Sequence, residues 1–130
     1  MKEADPVGSS DLDVDDGDIV TGYASAPFDV EELESMLAGD PDNEMLLDIA
    51  AFKYYTSGDL VRAVMSYQRL VKLNYHKALY HFYLANSFYK LRRMMEARLE
   101  WDAVKMLDPD GQYGRKAEQR LLALRATYGS

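Results

Sequence analysis

The sequence predicts an all-α protein made of helical hairpins that repeat every 34 residues. Three observations predict it. From Phe28 onward apolar residues recur every three or four positions, the period of amphipathic helices. The chain matches itself when slid by 34 residues, the mark of a stacked repeat. No run of residues alternates apolar and polar with the period of two that a half-buried strand would show.

Six helices follow from the pattern. The first covers about 29–38 and stops at Gly39, Asp40 and Pro41. The second covers about 44–57 and ends at Gly58, and the third about 60–73. The fourth covers about 77–90 and the fifth about 94–107. Asp108, Pro109, Asp110 and Gly111 then break the chain, because proline cannot continue a helix and glycine accepts a left-handed cap. The sixth covers about 114–127.

The 34-residue shift lays Ala50 on Leu84, Ala51 on Ala85, Tyr54 on Phe88 and Tyr55 on Tyr89. It continues with Ala63 on Ala97, Tyr67 on Trp101, Leu70 on Val104, Leu73 on Leu107 and Asn74 on Asp108. Size class is kept where identity is not. Two antiparallel helices approach closely only where one presents a small side chain. Ala51 and Ala85 do so in the first helix of each hairpin, Ala63 and Ala97 in the second. Tyr54, Tyr67, Phe88 and Trp101 fill the space beside the contact. One such hairpin cannot bury its apolar face alone, so neighbours must stack.

These residues resemble the tetratricopeptide-repeat (TPR) family. Residues 78–111 fit its pattern through Leu84, Ala85, Phe88, Ala97, Trp101, Val104 and Pro109. Residues 44–77 fit through Leu47, Ala51, Tyr54, Gly58, Ala63, Tyr67 and Leu70. Tyr75 stands where the closing proline is expected, and His81 where a large apolar residue is usual. The resemblance covers about 28–128 and implies a right-handed α–α superhelix. It divides the chain into an acidic tail (1–27), a capping half-repeat (28–41), a first repeat (44–77), a second repeat (78–111) and a solvating C-terminal helix (112–130). Shifting Leu84, Ala85 and Phe88 forward gives Glu118, Gln119 and Leu122, the wet outer face that a terminal repeat needs. Ala117, Leu121, Leu124 and Tyr128 form the stripe that seals the last repeat.

In such a stack the first helix of each hairpin lines a concave groove. By register its lining is Met45, Asp48, Phe52 and Tyr55, then Leu79, Phe82, Asn86 and Tyr89, with Lys90 beside them. Most are apolar or aromatic, and the register expects them to be exposed. A cluster of that kind marks a binding surface, and aromatic anchors carry binding energy. The competing expectation is that helix 29–38, helix 114–127 or a second copy covers them. The family's mode of clamping a C-terminal carboxylate fits Asn86 and Lys90 but not Phe52, so an apolar or amphipathic segment, helical or extended, is the expected ligand.

Charge is unevenly placed. The net charge is −7; residues 1–27 hold seven of the 22 acids and one of the 15 bases, which leaves 15 acids and 14 bases in the body. The tail is too poor in apolar residues to order itself and is expected to be disordered. It serves to solubilise, or as a short motif that docks on a partner or folds back into the groove. Two basic clusters, one at Lys90, Arg92, Arg93 and Arg98 and one at Arg115, Lys116, Arg120 and Arg125, read as a solvated face. The alternative is a site for an acidic segment. No basic excess points to nucleic acid.

Enzyme chemistry is not expected. Cysteine is absent, there is no glycine-rich phosphate loop, and neither histidine has a metal-ligand spacing. His76 falls in a turn and His81 inside the repeat as a packing residue. No cofactor is called for. No apolar run approaches the length of a membrane span, and the first residues lack the apolar stretch of a secretory leader, so a cytoplasmic protein is expected. The function to expect is an adaptor or scaffold that holds a peptide or helix of another protein. The alternatives are a dedicated small chaperone of a secretion or membrane-assembly system and a self-assembling structural protein.

Overall fold

The structure is a computed structural model that describes residues 27–128. The expected disordered tail lies outside the described residues, apart from Pro27. Among the described residues there are six helices and no strand: α1 (Val30–Gly39), α2 (Glu44–Ser57), α3 (Leu60–Leu73), α4 (Ala78–Lys90), α5 (Met94–Leu107) and α6 (Gln112–Tyr128). The all-α class is as the sequence predicts. The period survives in three dimensions. The helices α2, α4 and α6 begin at 44, 78 and 112, and α3 and α5 begin at 60 and 94, so every step is 34.

Local chemistry sets the boundaries. Asp29 and Glu32 form a reciprocal capping box on α1, each side chain accepting the other's backbone N–H at 2.8 and 2.9 Å. Asn43 caps α2 through the Leu46 N–H, and Asp59 caps α3 through the Arg62 N–H. Gly58 ends α2 at φ 89°, a left-handed conformation that costs glycine nothing. The equivalent position of the next hairpin is Arg92, which takes φ 67° with a side chain in place. A Cβ on Gly114 would stand 1.7 Å from the Asp108 carbonyl oxygen, so only glycine lets α6 start this close to the preceding turn. Asp108 Oδ2 accepts from the Tyr113 and Gly114 N–H groups there.

Each helix packs on the next in sequence, and α4 also touches α6. The core follows the size pairs. Ala51, Ala63, Ala85 and Ala97 are fully buried, and Tyr67, Trp101, Leu70 and Val104 sit beside them with no exposure. Tyr54 donates its hydroxyl to Glu34, which ties α1 to α2. Glu118 and Gln119 of α6 are exposed and Ala117 and Leu124 are buried, so the last helix has one wet and one dry side. No helix among the described residues is long and apolar enough to cross a membrane.

Candidate functional site: the face shared by α2, α4 and α6

Side chains of α2, α4 and α6 meet through a chain of aromatic contacts. Tyr83 is its hub. Its ring lies 5.4 Å from Phe52, 5.1 Å from Tyr55, 5.8 Å from Tyr67 and 5.4 Å from Phe82, mostly edge to face. Phe82 continues to Tyr113 of α6 at 5.5 Å. The Arg120 guanidinium lies over the Phe82 ring at 5.2 Å. The Lys90 ammonium sits 4.6 Å from the Tyr55 ring centre, and Tyr89 leans on Trp101 at 5.8 Å.

This arrangement corrects the expected exposure. Asp48, Phe52, Tyr55, Phe82 and Asn86 are buried. Leu79 and Tyr89 are half-buried, and only Met45 and Lys90 are exposed. The physical reason is reach. Register shows which side chains are unused inside one hairpin, but an aromatic ring is long enough to pack on the next hairpin. Phe52 and Tyr55 do so on Tyr83, and Phe82 does so on Tyr113. Asn86 is also committed inward, since its Oδ1 accepts the Trp101 indole N–H at 3.0 Å. Arg120 is corrected too: it is 5% exposed over Phe82, not part of a solvated basic face. The same 34-residue shift contained the missing members, for Tyr113 falls on Leu79 and Arg120 on Asn86.

Charges at the α2 end of the face are unequal in their satisfaction. Glu44 accepts from the Tyr80 hydroxyl at 2.7 Å and from the Asn74 amide at 3.3 Å, and these bonds hold its carboxyl below its ordinary range. Asp48, one turn later, is 5% exposed, and its Oδ1 has no hydrogen-bond partner. Burial drives its carboxyl up to about 6, with Lys77 opposing and Glu44 adding to the rise. Its charge reaches α6, where burial first, then Asp108 and Asp48, raise the Tyr113 hydroxyl.

His81 is a packing residue, as expected, and a connected one. It is 1% exposed; Nδ1 lies 2.7 Å from Glu100 and Nε2 2.8 Å from the Tyr75 carbonyl. Both partners are acceptors, so both bonds form only when the ring holds both protons. Burial pulls its pKa down, but the Glu100 bond, the Tyr75 carbonyl and the Glu100 charge together raise it above the ordinary value. Among the described residues no three His, Asp or Glu side chains converge on a point that could hold a metal ion.

A second surface is apolar and open. Val61 and Met65 of α3 are 60% and 63% exposed, and their 34-residue equivalents on α5, Met95 and Leu99, are 69% and 58% exposed. A cleft of about 430 Å³ between these helices has Val71, Leu84, Phe88 and Leu99 in its lining. Compared with protein-family models, with curated proteins and with solved structures, the chain matches none.

Proposed function

We propose that this chain is a TPR-like, non-enzymatic interaction module that binds an apolar or amphipathic segment of another protein along the face shared by α2, α4 and α6. The observation that carries the reading is the composition of that face. Three helices at one register contribute aromatic rings and a buried carboxylate with an unpartnered oxygen, next to the exposed Met45 and Lys90. Met45 and Lys90 give that face an exposed apolar and cationic edge on which a ligand can pack. The 34-residue helix spacing supports the family resemblance, which makes this face the concave one.

The chaperone reading has its own support in the exposed Met65, Met95, Leu99 and Met106 of α3 and α5. Methionine-rich surfaces adapt to clients of varied shape. Head-to-tail self-assembly is less favoured. A further helix would pack on Arg115, Glu118 and Gln119 of α6, which are polar and exposed.

The buried rings are poor probes of binding, because replacing Phe52 or Phe82 with alanine would cost about 3–5 kcal/mol of stability each. The test is therefore a pull-down from native lysate with wild type and a Met45→Glu/Lys90→Glu variant, which changes only exposed side chains of the face. Loss of a captured protein with the variant supports the reading. Capture that survives it but fails with Met65→Glu/Leu99→Glu moves the site to α3 and α5.

A further inference from the structure

We propose that the groove between α5 and α6 is the docking site of this chain's own acidic segment, residues 11–20, with its carboxylates on Arg98 and Arg125. The groove is separate from the face shared by α2, α4 and α6, and none of its lining residues belongs to the aromatic chain there.

Two adjoining clefts make the groove. One of about 310 Å³ has Leu121, Leu122 and Leu124 in its lining, together with Arg98 and Arg125. The other, of about 170 Å³, shares Arg98 and Leu124 with it and adds Met94, Met95 and Tyr128. Met95, Leu122 and Tyr128 are each more than half exposed, so the apolar surface is open to a ligand. Among the described residues neither Arg98 nor Arg125 has an ion pair or a hydrogen bond. Three other charges line the larger cleft. Lys105 and Glu118 stand 3.5 Å apart, which leaves Asp102 against two arginines. The groove therefore offers unpaired guanidinium groups beside apolar side chains. A segment that mixes carboxylates with apolar residues complements both, through charge-assisted bonds and contact with the arginine stems.

Residues 11–20 have that chemistry: five acids, four apolar residues and no base. The charge of the stack favours this end. Helix α1, where the segment joins the fold, holds Glu31, Glu32 and Glu34 and no base, whereas α6 holds four bases and one acid. Helix α3 is basic too, but its Arg62 and Arg69 are already bonded to Asp59 and Asp42. The distance can be covered. Consecutive helices joined by short turns run antiparallel, so α1, α3 and α5 start at the same end of the stack. Met94, Met95 and Arg98 lie near the start of α5, and Leu124, Arg125 and Tyr128 near the end of α6, which places them at that end. From Asp15 to Phe28 is 13 residues, about 43 Å when extended. The four helix-to-helix steps from α1 to α5, at about 8–10 Å each, come to no more than about 40 Å. A tethered segment also binds at a high effective concentration.

The test is paramagnetic broadening in the full chain. The chain has no cysteine, so Ser10→Cys carries a single nitroxide label. The expected result is loss of amide NMR peak intensity at residues 94–98 and 121–128, with α2 and α3 spared. That loss should disappear in Arg98→Glu/Arg125→Glu, with helicity checked by circular dichroism. It should disappear as well in Asp13→Asn/Asp15→Asn/Asp16→Asn, which leaves the helices untouched, and in about 1 M salt, where the screening length falls to about 3 Å. Broadening centred on α3 or on the face of α2, α4 and α6 would overturn the proposal, as would broadening nowhere. Persistence in the triple asparagine variant would overturn it too. Broadening of an unlabelled, isotope-enriched chain by a labelled one would place the segment on a second copy and overturn docking within the chain.

Discussion

Replacing Asp48 with asparagine should make the protein more stable at neutral pH, and the pH dependence of that gain is the sharper prediction. The folded state raises the carboxyl from 3.8 to about 6. Two units at about 1.4 kcal/mol each give about 3 kcal/mol of cost at pH 7.5. The asparagine amide also needs partners, so the expected net gain is about 1–3 kcal/mol. The sign follows from linkage. A group whose pKa is raised on folding contributes most below its unfolded value, here 3.8, and that contribution is lost as pH rises through about 6. The gain from Asp48→Asn should therefore be full above pH 7 and a small fraction of that near pH 4. Urea unfolding followed by circular dichroism at both pH values measures it. A variant no more stable than wild type at pH 7.5 would refute the reasoning, as would a gain equally large at pH 4.

Other expectations follow from the same contacts. Ala85→Leu or Ala97→Leu should destabilise by about 1–3 kcal/mol, because both alanines are fully enclosed at helix contacts; thermal melting would show it. Arg92→Gly should stabilise by about 0.5–1 kcal/mol by relieving a positive φ, seen as a later urea midpoint. His81→Gln should cost more at pH 6 than at pH 8.5. The raised pKa means that the His81 contribution is present below about 6.5 and fades as pH rises through the folded value, so parallel melts at the two pH values check the sign.

The helices were legible because their signals are local. Gly58 and Pro109 mark ends, and the four alanines mark where helices touch, all within one hairpin or its repeat. The observed starts of α2, α3 and α5 coincide with the expected 44, 60 and 94. Helix α6 begins two residues earlier than expected, at Gln112, because Asp108 reaches forward to the Tyr113 and Gly114 N–H groups. The face was less legible. Whether Phe52 or Phe82 is exposed depends on contacts between hairpins, and these hang on Tyr83. Tyr83 has Ile49 as its repeat equivalent, so nothing in the repeat marked it as an aromatic hub. Arg120 read as a surface charge because sequence pattern does not show that a guanidinium will lie on a ring.

The central claim is that the face of α2, α4 and α6 holds a partner protein, and the most direct measurement is the comparative pull-down with Met45→Glu/Lys90→Glu set beside Met65→Glu/Leu99→Glu. A captured protein should be lost with the first variant and kept with the second. The reverse pattern would contradict it and would give the binding role to the methionine-rich surface of α3 and α5.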